Sequence, residues 1–138
     1  MQKNSVFTEK LRSSGLRPTN QRILICKLLF DRKGTFHFTI NQLRNILKNE
    51  SYKKVSLATI YNTIHAFKKK GYLKEISLNS DKSYFDTNVS NHHHFFNEST
   101  NELIDLEDTD VGKINIKKTI TGKKIKSIEV LVKIADIK

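Results

Sequence analysis

Ser56-Leu57-Ala58-Thr59-Ile60-Tyr61-Asn62-Thr63-Ile64-His65-Ala66-Phe67-Lys68-Lys69-Lys70-Gly71 is the stretch that decides how this chain is read. Serine is a preferred N-cap, and glycine is preferred just past a helix C-terminus. Between them Leu57, Ile60, Ile64 and Phe67 form one apolar stripe at helical spacing, which predicts an amphipathic helix packed inward. Lys68, Lys69 and Lys70 put cations at its C-terminal end, where the helix dipole favours them. The other face offers Ser56, Thr59, Asn62 and Thr63, with Tyr61 beside them. A helix in the DNA major groove needs this combination: short polar tips for base edges and lysines for phosphates. Asn62 carries the amide that pairs with adenine. Tyr61 can stack on a sugar or a thymine methyl, or donate to a phosphate. An ordinary solvated surface helix with Tyr61 half buried has the same composition.

Upstream, the pattern is also helical. Phe7 and Leu11 lie one turn apart before Gly15, and Thr19 follows Pro18 as the N-cap of a second helix that Gly34 is expected to end. Thr39 with Gln42 makes a capping box in front of Ile40, Leu43, Ile46 and Leu47. Downstream, the period changes to two. Tyr72–Leu78 and Ser83–Asp86 flank a polar turn at Asn79–Lys82, a hairpin signal. Helices followed by a small hairpin describe a winged helix-turn-helix. Arg17 and Arg22, at the start of the second helix, are placed to add backbone contacts to DNA. Further on, Leu103–Leu106 reads as a short strand, and Ile128, Val130, Val132 and Ile134 alternate as a strand with one buried face. Residues 108–124 have no clear period.

The expected fold class is therefore α+β, with a winged-helix DNA-binding domain over 1–88 and a small α/β domain over 89–138. The chain has 138 residues and a net charge of +11. Residues 1–75 hold 16 Lys/Arg against 4 Asp/Glu, residues 76–112 hold 1 against 8, and residues 113–138 hold 8 against 2. The basic front suits a polyanion, and the acidic, histidine-bearing middle suits a cation. A membrane span would need about 20 consecutive apolar residues, and no such run is present. The first ten residues contain no apolar core of a secretory signal, so a cytoplasmic location is expected. One cysteine, Cys26, excludes an internal disulfide and a four-cysteine zinc site.

Three of the five histidines are consecutive, His92, His93 and His94. On a strand the first and third share a face. Asp86, Glu98, Glu102 and Asp105 are near in sequence, and a mixed histidine and carboxylate set suits Fe(II), Mn(II) or Zn(II). An exposed loop without a ligand is the plain alternative. No H-E-x-x-H or nucleophile motif accompanies the run, so an enzyme is not expected.

Four segments in order then resemble one family: Gly15-Leu16-Arg17-Pro18-Thr19-Asn20-Gln21-Arg22, Ser56–Thr63, Tyr84-Phe85-Asp86-Thr87-Asn88, and His92-His93-His94-Phe95-Phe96. They look like the ferric uptake regulator (Fur) family and, within it, its iron response regulator (Irr) branch. The resemblance implies a homodimer acting on palindromic, AT-rich double-stranded operator DNA. It also implies a regulatory metal between the two domains, held by His37, Asp86, histidines of the 92–94 run and Asp105. Ungapped alignment from Asp86 favours His92 and His93, whereas strand alternation favours His92 and His94. The cysteine pairs of the family's structural zinc site are absent. Where the commoner family run carries two further polar ligands, this chain has Phe95 and Phe96, which favours the branch in which haem engages the histidines. The expectation is a transcriptional regulator of iron and haem homeostasis that responds to haem or iron. The alternatives are a repressor activated by Fe(II), Mn(II) or Zn(II), and, from another class, a non-switching architectural DNA-binding protein.

Overall fold

The computed structural model describes residues 4–50, 55–79 and 82–138. The chain separates into two compact units, residues 1–89 and 90–138. The first begins with helices α1 (Asn4–Ser13) and α2 (Asn20–Phe30), a two-residue strand β1 (His37–Phe38), and helices α3 (Ile40–Glu50) and α4 (Leu57–Lys70). Strands β2 (Lys74–Asn79) and β3 (Lys82–Asp86) complete it. The antiparallel order β1-β3-β2 makes the wing. Of the expected hairpin turn, Ser80 and Asp81 lie outside the described residues.

Local chemistry sets the helix ends. Thr19 Oγ1 accepts the Arg22 N–H, and Ser56 Oγ accepts the Thr59 N–H. Thr39 and Gln42 cap each other reciprocally: Thr39 Oγ1 accepts the Gln42 N–H, and Gln42 Oε1 accepts the Thr39 N–H. Gly71 takes the left-handed conformation, φ 94°, in which its N–H reaches the Phe67 carbonyl. Helix α2 ends earlier than Gly34 suggested. Asp31 caps it through the Lys27 carbonyl, and Gly34 uses its positive φ in the loop beyond.

The core of this unit gathers Phe7, Leu11, Ile25, Leu43, Ile60 and Phe67, all fully buried. Phe30 meets Phe67 edge-on, and Phe36, Phe38 and Phe85 stack in series behind β1. Leu57 departs from the expected stripe. It stands one helical turn before the rest and is 39% exposed.

The second unit carries β4 (His93–Asn97), β5 (Glu102–Leu106), a 3-10 turn at Asp108–Asp110, and β6 (Leu131–Ile134), in the order β5-β4-β6. Strands β4 and β5 form an antiparallel hairpin, whereas β6 returns parallel to β4. Parallel pairing requires a crossover, here the long connection from Leu106 to Leu131. The buried apolar side chains described in this unit are Phe96, Leu103 and Leu106, each 7–9% exposed. Polar ties supplement them: Asn97 Oδ1 accepts the Ser99 N–H, and Ser99 Oγ accepts the Asp136 N–H. The expected buried face on Ile128–Ile134 is only half covered. β6 is an edge strand, and its regular part begins at Leu131. Ile114, Ile116, Ile120 and Ile125 in the crossover are exposed. The architecture is α+β, a winged helix-turn-helix unit and a small α/β unit whose helical part, among the described residues, is the single 3-10 turn.

Candidate functional site

Helix α4 presents an exposed face made by Ala58, Tyr61, Asn62, His65 and Lys69. The spacing follows the helical period, so these side chains share one side. The Tyr61 and His65 rings stack with centroids 5.8 Å apart and planes at 16°. Ser56 Oγ and Thr59 Oγ1 are 2.8 Å apart and are partly occupied in capping the helix. Thr63 is a correction. Expected on the groove-facing side, it is fully buried, and its Oγ1 donates to the Thr59 carbonyl at 2.7 Å. The reason is its position three residues after Ile60 and four before Phe67, on the apolar face. His65 was missed by sequence reading, although its place four residues after Tyr61 was the available signal.

Two further basic residues flank the start of α2. Arg17 is exposed. Arg22 is half buried, its Nη1 donates to the Arg17 carbonyl at 2.9 Å, and its Nε is buried without a hydrogen-bond partner. At the other end of α4, Lys68 pairs with Glu75 on β2. That bond, with a second from Ser83, holds the Glu75 carboxyl below its ordinary range.

His37 and Asp86 face each other across β1 and β3, because antiparallel register makes them direct partners. His37 Nε2 lies 3.1 Å from Asp86 Oδ2, and Asp86 Oδ1 accepts the Asn88 N–H at 2.8 Å. Asp86 is fully buried, so a carboxylate there needs hydrogen-bonding partners, and the His37 ring and the Asn88 N–H supply them.

The second unit supplies donors of its own. His94 stands opposite Asp105 in the β4–β5 register, and alternation brings His92 to the same face. His92 Nε2 is 3.3 Å and His94 Nε2 3.5 Å from the same oxygen, Asp105 Oδ1. The two imidazoles meet edge to face, centroids 4.5 Å apart. The Ser90 carbonyl, 2.8 Å from His92 Nδ1, holds the proton on that nitrogen. In the neutral ring the Nε2 lone pair then faces a carboxylate oxygen. Two acceptors in such proximity call for a cation between them, and a histidine whose other nitrogen donates to a backbone carbonyl is the usual form of a metal ligand. The residues thus fit a divalent metal.

His93 lies on the opposite side of the strand. Its Nδ1 accepts the Val130 N–H at 2.9 Å, and its Nε2 lies 3.0 Å from Asp108 Oδ1. Asp108 carried no sequence signal, since it is fifteen residues away and irregularly placed. Glu98 and Glu102 are exposed at the far end of the β4–β5 hairpin and do not join His92 and His94. Cys26 is buried, and desolvation pushes its thiol up to about 12 against a small opposing effect of Lys10. It is a neutral core side chain rather than a thiolate ligand. Among the described residues no helix is long and apolar enough to cross a membrane.

A profile described as the ferric uptake regulator family matches residues 13–134. The peroxide-responsive repressor PerR of Staphylococcus aureus is 32% identical over 104 residues, covering 75% of this chain and 68% of that protein. Among solved structures, the ferric uptake regulator of Pseudomonas aeruginosa with manganese superposes with a TM-score of 0.68 at 19% identity, covering 96% of this chain and 99% of that one. The Vibrio cholerae ferric uptake regulator gives 0.69 at 18%, covering 94% and 98%. A zinc-bound manganese uptake regulator gives 0.64 at 19%, covering 95% and 98%. With a profile match over most of its length, this chain belongs to the ferric uptake regulator family.

Proposed function

We propose that this protein is a dimeric DNA-binding transcriptional regulator whose effector is a divalent cation, Fe(II), Mn(II) or Zn(II), held by His37, Asp86, His92, His94 and Asp105. The observation that carries the reading is the convergence of His92 and His94 Nε2 on Asp105, with the Ser90 carbonyl fixing the His92 tautomer. Asp86 ends β3 and His92 immediately precedes β4, so six residues of chain, about 20 Å at full extension, tether the two donor groups. When bound, the metal supplies positive charge and a fixed coordination geometry. A cation that takes donors from both units favours one arrangement of them, and DNA that requires that arrangement binds more tightly in its presence. The relatives support the coarser part of this reading, one being named a repressor and others carrying manganese or zinc.

On the DNA side, Tyr61, Asn62 and His65 on the exposed face of α4 would meet base edges. Arg17 and Lys69 would meet phosphates. The exposed isoleucines of the crossover, Ile114, Ile116, Ile120 and Ile125, support a second copy as the dimer partner.

Haem on the histidine run, the reading of the iron response regulator branch, uses the same residues with the opposite sign: the ligand would release DNA. A set of two histidines and a carboxylate would suit a divalent cation, whereas haem would take a histidine, cysteine, methionine or tyrosine as its protein ligand. Phe96, an aromatic that would suit a macrocycle, is packed in the core. The cation is therefore the preferred effector. A mobility-shift titration on duplexes selected from an AT-rich inverted-repeat pool separates the readings, run with chelator, with Mn(II), and with haemin plus albumin. Binding that appears with Mn(II) and ignores haemin is expected. Tight binding in chelator that haemin abolishes would reverse the assignment. Binding indifferent to all three would make the protein architectural.

A further inference from the structure

The histidine run contains one residue that the cation site leaves aside. We infer that His93 is a positioning residue: its two ring hydrogen bonds hold β4 so that His92 and His94 face Asp105, and it contributes no ligand. The inference rests on the cation reading above and adds a role for a buried side chain which that reading does not use.

The geometry is specific. Nδ1 accepts from the Val130 N–H, so the proton of the neutral ring is on Nε2, where it donates to Asp108. Both nitrogens are engaged, and neither is available to a metal without breaking a bond. Val130 is held from two sides, because its carbonyl also accepts the His94 N–H at 3.0 Å. That pair of bonds begins the parallel ladder, in which His94 is paired with Leu131. With β4 tied at this end to the segment entering β6, a shift of β4 itself by one residue is opposed, and such a shift would turn His92 and His94 to the other face, away from Asp105. Asp108 meanwhile anchors the ring to the 3-10 turn, which follows Leu106 at the end of the strand bearing Asp105. One imidazole thus ties the start of β4 to the residue before β6 and to the segment after β5. Groups that orient metal ligands in this way typically account for 10–100-fold in affinity.

Three substitutions separate the two bonds. His93→Asn places an acceptor near the Nδ1 position and keeps the Val130 bond. His93→Gln reaches the Nε2 position and keeps the Asp108 bond. His93→Ala keeps neither. Co(II) is the probe, titrated into the full chain and followed by visible absorption, with His92→Ala as the loss-of-ligand control. The expected result is that His93→Ala weakens Co(II) binding by about 10–100-fold, that Asn and Gln each recover part of the loss, and that all three reach the wild-type band positions and intensities at saturation. His92→Ala should change the bands themselves. A changed spectrum in the His93 variants would make His93 a ligand and overturn the proposal, as would wild-type affinity in His93→Ala. Should His93→Ala fail to fold, the Asn and Gln variants carry the same test: wild-type affinity in both, or altered bands in either, overturns it. Failure of the wild-type chain to bind Co(II) at all would instead remove the cation site on which the proposal rests.

Discussion

The two units are stabilised by different means. The first closes over a core with side chains from every helix, Phe7, Ile25, Leu43 and Phe67 among them, all inaccessible to solvent. The second covers three apolar side chains incompletely and leaves a row of isoleucines outside. Its remaining order comes from polar ties, His93 to Val130 and Asp108 and Ser99 to Asp136, while His92 and His94 converge on Asp105 Oδ1 without a hydrogen bond to that oxygen. A unit built on burial is stable by itself. A unit built on converging donors and a half-covered face gains its stability from what binds it, whether a cation or a second chain. That division suits a regulator in which one part carries the DNA-reading helix and the other sets when it binds.

The contrast can be broken from either side, and the largest effect is expected in the first unit. Phe67→Ala removes a fully buried ring that Phe30 and Tyr72 contact edge-on, and should cost about 3–5 kcal/mol. Urea unfolding followed by circular dichroism measures it. The same substitution at Phe96, which is already 9% exposed in a thin core, should cost less. Equal losses would show that the second unit is as independently stable as the first.

Next comes the response to metal. Mn(II) at a hundred times its dissociation constant should stabilise the protein by about 2.7 kcal/mol through mass action. Asp105→Asn should remove most of that gain while leaving the metal-free protein folded. Hydrogen exchange in β4 and β5 locates the effect, and protection confined to the helices would count against the contrast.

The smallest effect belongs to the tie between Lys68 and Glu75, which joins α4 to the wing. Glu75→Gln should cost below about 1 kcal/mol, because the lysine is half exposed. The Glu75 carboxyl titrates below its ordinary value of 4.5. Its contribution is therefore complete above that value and is lost as pH falls through the lower, folded-state value. The variant should show a flatter loss of stability in acid than the wild type.

The same contrast explains what could be read in the sequence. The helix ends were legible because capping is local: Thr19, Thr39 with Gln42, Ser56 and Gly71 act within four residues of themselves. The shared face of His92 and His94 was legible for the same reason, since alternation is a property of any strand. The burial of Thr63 is not legible from its polarity, because helical phase, not residue type, puts it between Ile60 and Phe67. The partners of His93 could not be found by any local rule. They lie fifteen and thirty-seven residues away and are brought in by a turn and a parallel crossover. The long segment before β6 had no period because much of it packs against nothing in this chain, so burial left no pattern to detect.

The central claim is that cation and DNA binding share one equilibrium. Mn(II) affinity, measured with and without saturating operator duplex, tests it most directly. If Mn(II) increases operator affinity by some factor, operator must increase Mn(II) affinity by the same factor, because the coupling is reciprocal. The expected result is a tighter Mn(II) isotherm in the presence of DNA, with the shift abolished by Asp105→Asn. Identical isotherms with and without DNA would contradict the account.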